Sequence, residues 1–173
     1  MNTFFTADTH FQHANIIKYC QRPFKNITEM DETLIKNWNT KVTPNDLVYH
    51  LGDIIFGDYT NILRRLNGKI FLILGSHDGN AFDHKDKFVD IRRLHEFKQN
   101  DISITLCHYA MRTWARAHYN TWHCFGHSHG HLEPFGKSFD VGVDAHEFQV
   151  WSLDEVVERM NKLPDNFNLV KKE

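Results

Sequence analysis

Residues 69–78 read Lys-Ile-Phe-Leu-Ile-Leu-Gly-Ser-His-Asp, an apolar run that ends in polar residues. A short continuous apolar run predicts a strand that is buried on both faces, as in the centre of an α/β domain. The Gly-Ser-His-Asp segment that follows would lie at the carboxyl end of this strand. Open α/β sheets bind their ligands at that end, so these residues are candidates for a functional site.

Four other predicted strands repeat this arrangement. They cover residues 3–7, 47–51, 102–106 and 122–125, and the polar residues that follow them are Asp8-Thr9-His10, Gly52-Asp53, His108 and Gly126-His127-Ser128-His129. Aspartate and histidine recur at all five strand ends, and histidine is a common metal ligand. Because the carboxyl ends of neighbouring strands meet at one edge of a sheet, the sequence predicts one shared metal site.

Helical patterns separate the predicted strands, which favours a layered α/β fold. Residues 28–40 have apolar residues at helical spacing, with Thr28 as the expected N-cap. A second helix is expected over residues 59–66, and a last one after Ser152, where Glu155 completes a capping box. We find no repeat, low-complexity tract or linker, so we expect a single domain over residues 1–173.

The composition excludes several classes of protein. Lys and Arg total 20 against 22 Asp and Glu, a net charge of −2, which argues against tight binding of long duplex nucleic acid. No apolar stretch approaches the ~18 residues of a membrane span, and the first residues lack signal-peptide features, so we expect a cytoplasmic protein that does not bind membranes. The three cysteines have no paired spacing, which indicates free thiols in a reducing compartment.

Each motif alone has a simpler interpretation. Asp-x-His occurs by chance, and Gly-His-x-His is also compatible with exposed loop histidines or with a structural zinc site that uses Cys107 or Cys124. Neither cysteine has the close partner that such zinc sites normally contain, and the ordered set of five strand ends favours a common centre. Mixed imidazole and carboxylate ligands suit Mn²⁺, Zn²⁺, Fe or Ni²⁺ better than Mg²⁺ or Ca²⁺.

The ordered motifs in residues 8–129 resemble those of the calcineurin-like metallophosphoesterase superfamily, and the long first loop resembles its small, capless bacterial and phage members. The resemblance implies a four-layer αββα sandwich of mixed sheets flanked by helices, with two divalent metal ions bridged by Asp53. Mn²⁺ is the expected metal, with Zn²⁺, Fe or Ni²⁺ as alternatives. The implied ligands are Asp8, His10, Asp53 and His129 for the first ion, and Asp53, Ser76, His108 and His127 for the second.

The same resemblance implies a reaction, the hydrolysis of a phosphoester by in-line attack of a metal-bridging hydroxide. His77 would be the general acid, and Asp78 would orient its imidazole. Phosphoprotein phosphatases have an aspartate three residues after the bridging one, followed by Arg-Gly. This chain has Ile54-Ile55-Phe56-Gly57 instead, which favours a phosphodiester substrate over a phosphoprotein.

Ser76 departs from the superfamily pattern, which has asparagine at this position. A serine hydroxyl is a poorer metal ligand than an amide oxygen, so we expect weaker binding of the second ion. This departure leaves open a catalytically weakened protein that binds metal and phosphate. A nuclease that acts on short oligonucleotides is a separate alternative.

Substrate contacts are expected from two segments. His13 and Arg22 follow the first ligand pair, while Arg112 and Arg116 are four residues apart on a predicted helix after His108. Arginine suits phosphate oxygens. Trp114 would either stack on a nucleobase or pack in the core. The expected partner is a small phosphoester such as a nucleotide.

Overall fold

Two β-sheets packed face to face form the centre of the protein, seen in a computed structural model that describes residues 1–170. The first sheet has five strands in the spatial order β4 (Asp90–Arg92), β3 (Lys69–Ile73), β2 (Leu47–His50), β1 (Thr3–Thr6) and β9 (Trp151–Ser152). All neighbours are parallel except β1 and β9. The polar segments after β1, β2 and β3 therefore leave the sheet at the same edge.

The second sheet has four strands in the order β5 (Leu94–Gln99), β6 (Ile102–Cys107), β7 (Trp122–Phe125) and β8 (Ser138–Asp140). The pair β5 and β6 is antiparallel, whereas β6, β7 and β8 are parallel to one another. The inner faces of both sheets share one apolar core, which includes Phe5, Phe71, Leu106 and Cys124. Both sheets are mixed and helices flank them, so the expected sandwich is confirmed. The five strands predicted from the sequence correspond to β1, β2, β3, β6 and β7.

Helices α1 (Ala14–Tyr19), α2 (Ile27–Lys41) and α3 (Tyr59–Leu63) lie on the outer face of the first sheet, where α2 packs through Met30 and Trp38. Its N-cap is Asn26, whose side chain accepts a hydrogen bond from the Glu29 amide at 2.9 Å, and not Thr28 as expected. Helix α4 (Leu153–Lys162) begins with the expected capping box of Ser152 and Glu155.

Residues 109–116 form a loop, so the helix expected after His108 is wrong. Arg116 has a left-handed backbone (φ 57°), which interrupts any helix, and a single 3-10 turn follows at Ala117–Tyr119. Trp114 is 7% exposed and its Nε1 donates to the Thr121 carbonyl at 3.0 Å. The packing alternative for Trp114 is therefore confirmed, and its ring is not open to a nucleobase.

The three cysteines are free thiols, as expected, and Cys124 is fully buried. Within residues 1–170, no helix has both the length and the apolar character required to cross a bilayer.

Candidate metal centre

The carboxyl ends of strands from both sheets meet at one edge of the sandwich and form two groups of potential ligands. In the first, the ligand atoms of Asp8, His10 and His129 all lie within 4.8 Å of one another. In the second, the same holds for Asp53, His108 and His127. Each group combines residues that follow strands of the first sheet with residues that follow strands of the second. The convergence predicted for these six residues is thus present in the structure.

Asp53 lies between the two groups. Its Oδ2 is 3.8 Å from His10 Nε2 in the first group and 3.5 Å from His108 Nε2 in its own. Its other oxygen, Oδ1, accepts a hydrogen bond from the His77 backbone amide at 2.9 Å. One carboxylate oxygen is therefore fixed by the protein and the other faces both groups, which suits a shared ligand.

Several of these ligand atoms are buried without a hydrogen-bond partner. They are Asp8 Oδ1, both ring nitrogens of His10, and His108 Nε2. A buried polar atom without a partner costs about 1–3 kcal/mol, and four in one place require an explanation. Divalent cations would satisfy Asp8 Oδ1, His108 Nε2 and one ring nitrogen of His10, so this donor set fits a metal centre.

The pKa values of the buried ligand candidates also favour a bound cation. Burial raises the pKa of Asp8 well above its ordinary value, and the nearby carboxylates of Asp140 and Asp53 raise it further. Burial lowers the pKa of His10 to about 2, with the positive charge of Arg22 as a further cause. Burial likewise lowers the pKa of His108, although Asp53 opposes this effect. His10 and His108 are thus neutral near pH 7 and available as ligands.

Five of the six ligand candidates have a left-handed backbone conformation. The φ angles are 56° at Asp8, 50° at His10, 54° at Asp53, 67° at His127 and 49° at His129. Non-glycine residues in this region store on the order of 1–3 kcal/mol of strain each and cluster at functional sites. These turns place side chains from residues that are close in the sequence into one small volume.

Hydrogen bonds orient two of the histidine rings. His108 Nδ1 donates to the Leu51 carbonyl at 2.7 Å, which leaves Nε2 free for a metal. His129 Nδ1 lies 2.7 Å from Asp144 Oδ2, and a carboxylate in this position fixes the tautomer of a ligating histidine. Asp144 was missed in the sequence, because a single aspartate in a loop gives no signal of its partner.

Arg22 supports this arrangement and does not face the open site. It is 4% exposed, and its Nε and Nη2 donate to both oxygens of Asp144 at 2.8 and 2.7 Å. Its remaining donors bind the carbonyls of Asp8 and Thr9. These N–H groups all donate to partners within the protein, so the structure does not support the substrate contact expected of Arg22.

Asp78 also has a different role from the expected one. Its carboxylate accepts hydrogen bonds from the backbone amides of Asp53 and Gly75, both at 2.7 Å, and of Ile54 at 3.0 Å. It therefore holds the turn that carries Asp53 and does not orient the His77 imidazole. His77 itself is exposed, with its ring 6.1 Å from that of His10 and 4.7 Å from that of Phe56.

The remaining predicted residues lie around the mouth of the site. His13 stacks on Phe56 at 3.9 Å and its ring is 5.5 Å from that of His10. Ser76 is exposed, and its hydroxyl oxygen is 3.0 Å from that of Tyr109. The Tyr109 ring contacts His108 and His127 edge-on, a placement that the sequence did not predict.

Arg112 is exposed on the loop that follows Tyr109. The expected pairing of Arg112 with Arg116 on one helix face is absent, since both belong to this loop.

Comparisons with known proteins place the chain in a family. It is 39% identical over 168 residues to an uncharacterized protein of Methanocaldococcus jannaschii, a match that covers 90% of this chain and 89% of the archaeal protein. The chain therefore belongs to the same family as that protein. No family model matches the chain.

One solved structure confirms the fold. A protein of unknown function from Aquifex aeolicus aligns with a TM-score of 0.73 and 24% identity, over 91% of this chain and 98% of that chain. A structure described as a novel archaeal phosphodiesterase aligns with a TM-score of 0.48 and 16% identity, over 82% of this chain and 84% of that chain. The latter similarity is too low for any conclusion about function.

Proposed function

We propose that this protein is a metal-dependent phosphoesterase of the calcineurin-like superfamily, with phosphodiesters as the favoured substrates. The observation that carries the proposal is the pair of three-residue ligand groups, with Asp53 of the second group also close to His10 of the first. The first ion would be held by Asp8, His10, Asp53 and His129, and the second by Asp53, His108 and His127, with the Ser76 hydroxyl as a further candidate. When bound, two divalent ions supply a water of lowered pKa and a positive field for the phosphate oxygens.

The protein groups around the ions define the rest of the mechanism. The two ligand groups together contain only two carboxylates, Asp8 and the shared Asp53, so two divalent cations would leave an excess of positive charge that attracts an anionic phosphoester. Asp78 and Asp144 hold Asp53 and His129 in position through their hydrogen bonds.

His77 is the proposed general acid. Its ring is exposed and belongs to neither ligand group, while its backbone amide is tied to Asp53. A ring nitrogen at this position would donate a proton to the oxygen of the leaving group. Phe56 and His13 form a stacked pair next to it and limit the volume in which the imidazole can move.

A hydrolysis panel tests the proposal. The purified protein is assayed with Mn²⁺ against bis(p-nitrophenyl) phosphate and p-nitrophenyl phosphate, and with EDTA as the metal-free control. We expect metal-dependent release of p-nitrophenol, faster from the diester than from the monoester. Absence of turnover with every metal of the Mn²⁺, Zn²⁺, Fe and Ni²⁺ series would contradict the proposal.

Substitution of His77 separates acid catalysis from metal binding. His77→Ala should reduce the rate about 10²–10⁴-fold with an unchanged metal content, whereas His118→Ala, an exposed histidine of the loop after Tyr109, should have no effect. A parallel loss of metal would show that His77 is a ligand instead.

Ser76 supports a second candidate, a weakened member that binds metal and phosphate but turns over slowly. The Ser76 hydroxyl pairs with Tyr109 and is shorter than the amide of the superfamily. Ser76→Asn should raise both the occupancy of the second metal and the rate if position 76 is a ligand. Tight phosphate binding without turnover in the wild-type protein would favour this candidate.

A further inference from the structure

A cavity of about 450 Å³ lies on the outer face of the second sheet, between the loop after Tyr109 and the loop after His131. Its walls are mainly apolar and include Met111, Phe125, Leu132 and Phe135. Leu132 and Phe135 are 49% and 47% exposed and belong to these walls. The volume falls within the roughly 300–1,000 Å³ of small-molecule pockets.

The cavity is adjacent to the second ligand group. Its lining residue Ala110 is two residues beyond His108, and its lining residue Phe125 is two residues before His127. Two residues of chain span at most about 7.6 Å between Cα atoms. One substrate therefore has the length to occupy the cavity and to place a phosphate at the ligand group.

Two charged side chains give the cavity polar selectivity. Arg112 and Glu133 both line it, and within residues 1–170 neither forms an ion pair. A guanidinium donates hydrogen bonds to carbonyl or ring nitrogen acceptors, and a carboxylate accepts them from amino or ring N–H groups.

We propose that this cavity binds the nucleobase of a nucleotide phosphoester, an inference that rests on the phosphoesterase function proposed above. The apolar walls contact the faces of the base, with Phe125 and Phe135 as aromatic partners and Met111 as an adaptable one. Arg112 and Glu133 pair with the polar edge of the base. The ribose spans the distance from the cavity to the ligand group around Asp53.

Two phosphodiesters with the same leaving group test the assignment. Thymidine 5′-(p-nitrophenyl phosphate) and methyl p-nitrophenyl phosphate differ only in the nucleoside. We expect a kcat/KM at least tenfold higher for the thymidine ester, the size of effect that one well-filled apolar pocket supplies. A hexyl p-nitrophenyl ester is the third substrate, and its preference over the thymidine ester would overturn the proposal in favour of an alkyl group.

Substitutions then connect the selectivity to the cavity. Leu132→Ser should lower kcat/KM for the thymidine ester about five- to tenfold and leave the methyl ester unchanged. Leu94→Ser is the matched control, because Leu94 is 40% exposed on β5 and does not line the cavity. An equal loss with both esters would overturn the proposal, since the cavity would then hold the leaving group.

A binding experiment with the metal-free protein tests the nucleobase cavity independently of the proposed phosphoesterase function. Adenosine is titrated into the metal-free protein, and the methyl resonance of Met111 is followed by NMR. A saturable shift that Leu132→Ser weakens supports the cavity assignment even if no ester is hydrolysed. Hydrolysis of the methyl and thymidine esters at equal rates, with no shift, would overturn the assignment and leave the phosphoesterase function intact.

Discussion

Arg22 and Asp144 form a buried ion pair that holds part of the site in place. The side chain of Arg22 is 0% exposed and that of Asp144 is 8% exposed. Burial raises the pKa of Asp144, but hydrogen bonds from His129 and Arg22 outweigh it and hold the pKa below its ordinary value. The carboxylate is therefore ionised and available to orient His129.

Removal of Arg22 should be strongly destabilising. Arg22→Ala leaves the buried Asp144 carboxylate without its guanidinium partner, for which we expect a loss of about 3–5 kcal/mol in the free energy of unfolding. Arg65→Ala is the matched control, because Arg65 makes an equally short but exposed pair with Glu32. Exposed pairs contribute little, since water and salt screen them. Equal urea midpoints for the two variants would contradict a structural role for Arg22.

The residues of the site differ in how far the sequence predicts them. Asp8, Asp53 and His108 directly follow buried strands, so the strand pattern itself locates them. Arg22 and Asp144 meet across 122 positions of the chain, and no local pattern contains that pairing. A residue that acts through a distant partner is identified only when the fold brings the two together.

At the level of elements, the turn after β3 packs against the turn that carries Asp53. A Cβ atom added to Gly75 would lie 2.5 Å from the Asp53 backbone nitrogen and would overlap the Asp53 carboxylate. Gly79, four residues later, has nothing within 4 Å of such an atom. Substitution of Gly75 therefore tests contact with the metal site, whereas substitution of Gly79 tests only the flexibility of this segment.

Gly75→Ala should displace Asp53 and reduce the affinity for Mn²⁺ at least tenfold, because Asp53 belongs to both ion sites. Gly79→Ala should retain the affinity and leave the protein as stable or up to about 1 kcal/mol more stable, since it restricts the unfolded chain. Isothermal titration with Mn²⁺ and thermal unfolding measure the two effects. Unchanged affinity in Gly75→Ala would show that the turn adapts.

The loop that replaces the expected helix after His108 is anchored by His123 on β7. His123 Nδ1 donates to the Thr105 carbonyl at 3.1 Å, and its Nε2 accepts from the Met111 amide at 3.1 Å. These tertiary hydrogen bonds, together with buried Trp114, determine the path of the loop. The helical spacing of Arg112 and Arg116 could not indicate the path of the loop, because the anchoring residue His123 lies on β7.

The His123 anchor predicts a pH dependence of stability. Burial lowers the pKa of His123 from 6.5 to about 4, so the folded protein holds this ring neutral. Below pH 6.5 the unfolded chain binds a proton that the folded chain does not. Stability from this group is therefore complete above pH 6.5 and decreases by about 1.4 kcal/mol per pH unit as the pH falls towards 4.

Urea unfolding of the metal-free protein between pH 7.5 and 5 measures this slope. His123→Gln, which cannot titrate, should show a slope smaller by about one proton, and His118→Gln, an exposed control, should match the wild type. An identical slope in His123→Gln and the wild type would exclude His123 as the titrating group.

For the whole molecule, each proposed ion site would join the two sheets. The first group combines Asp8 and His10 after β1 with His129 after β7, and the second combines Asp53 after β2 with His108 after β6 and His127 after β7. Metal binding therefore requires that the sheets are docked, and bound metal opposes their separation. The sequence predicted these candidate ligands, but their distribution over two sheets was implied only by the superfamily resemblance.

This coupling predicts how metal affects stoichiometry and stability together. The wild type should bind two Mn²⁺, and each ion should add about 2.7 kcal/mol to the free energy of unfolding at a free concentration 100-fold above its Kd. His127→Ala should bind one ion and gain about half of this free energy of unfolding. Asp53→Asn should lose most of the metal binding and most of the added stability. His131→Ala, the exposed neighbour, should behave as the wild type. Two ions retained in His127→Ala, or binding without added stability, would mean that the metals do not link the sheets.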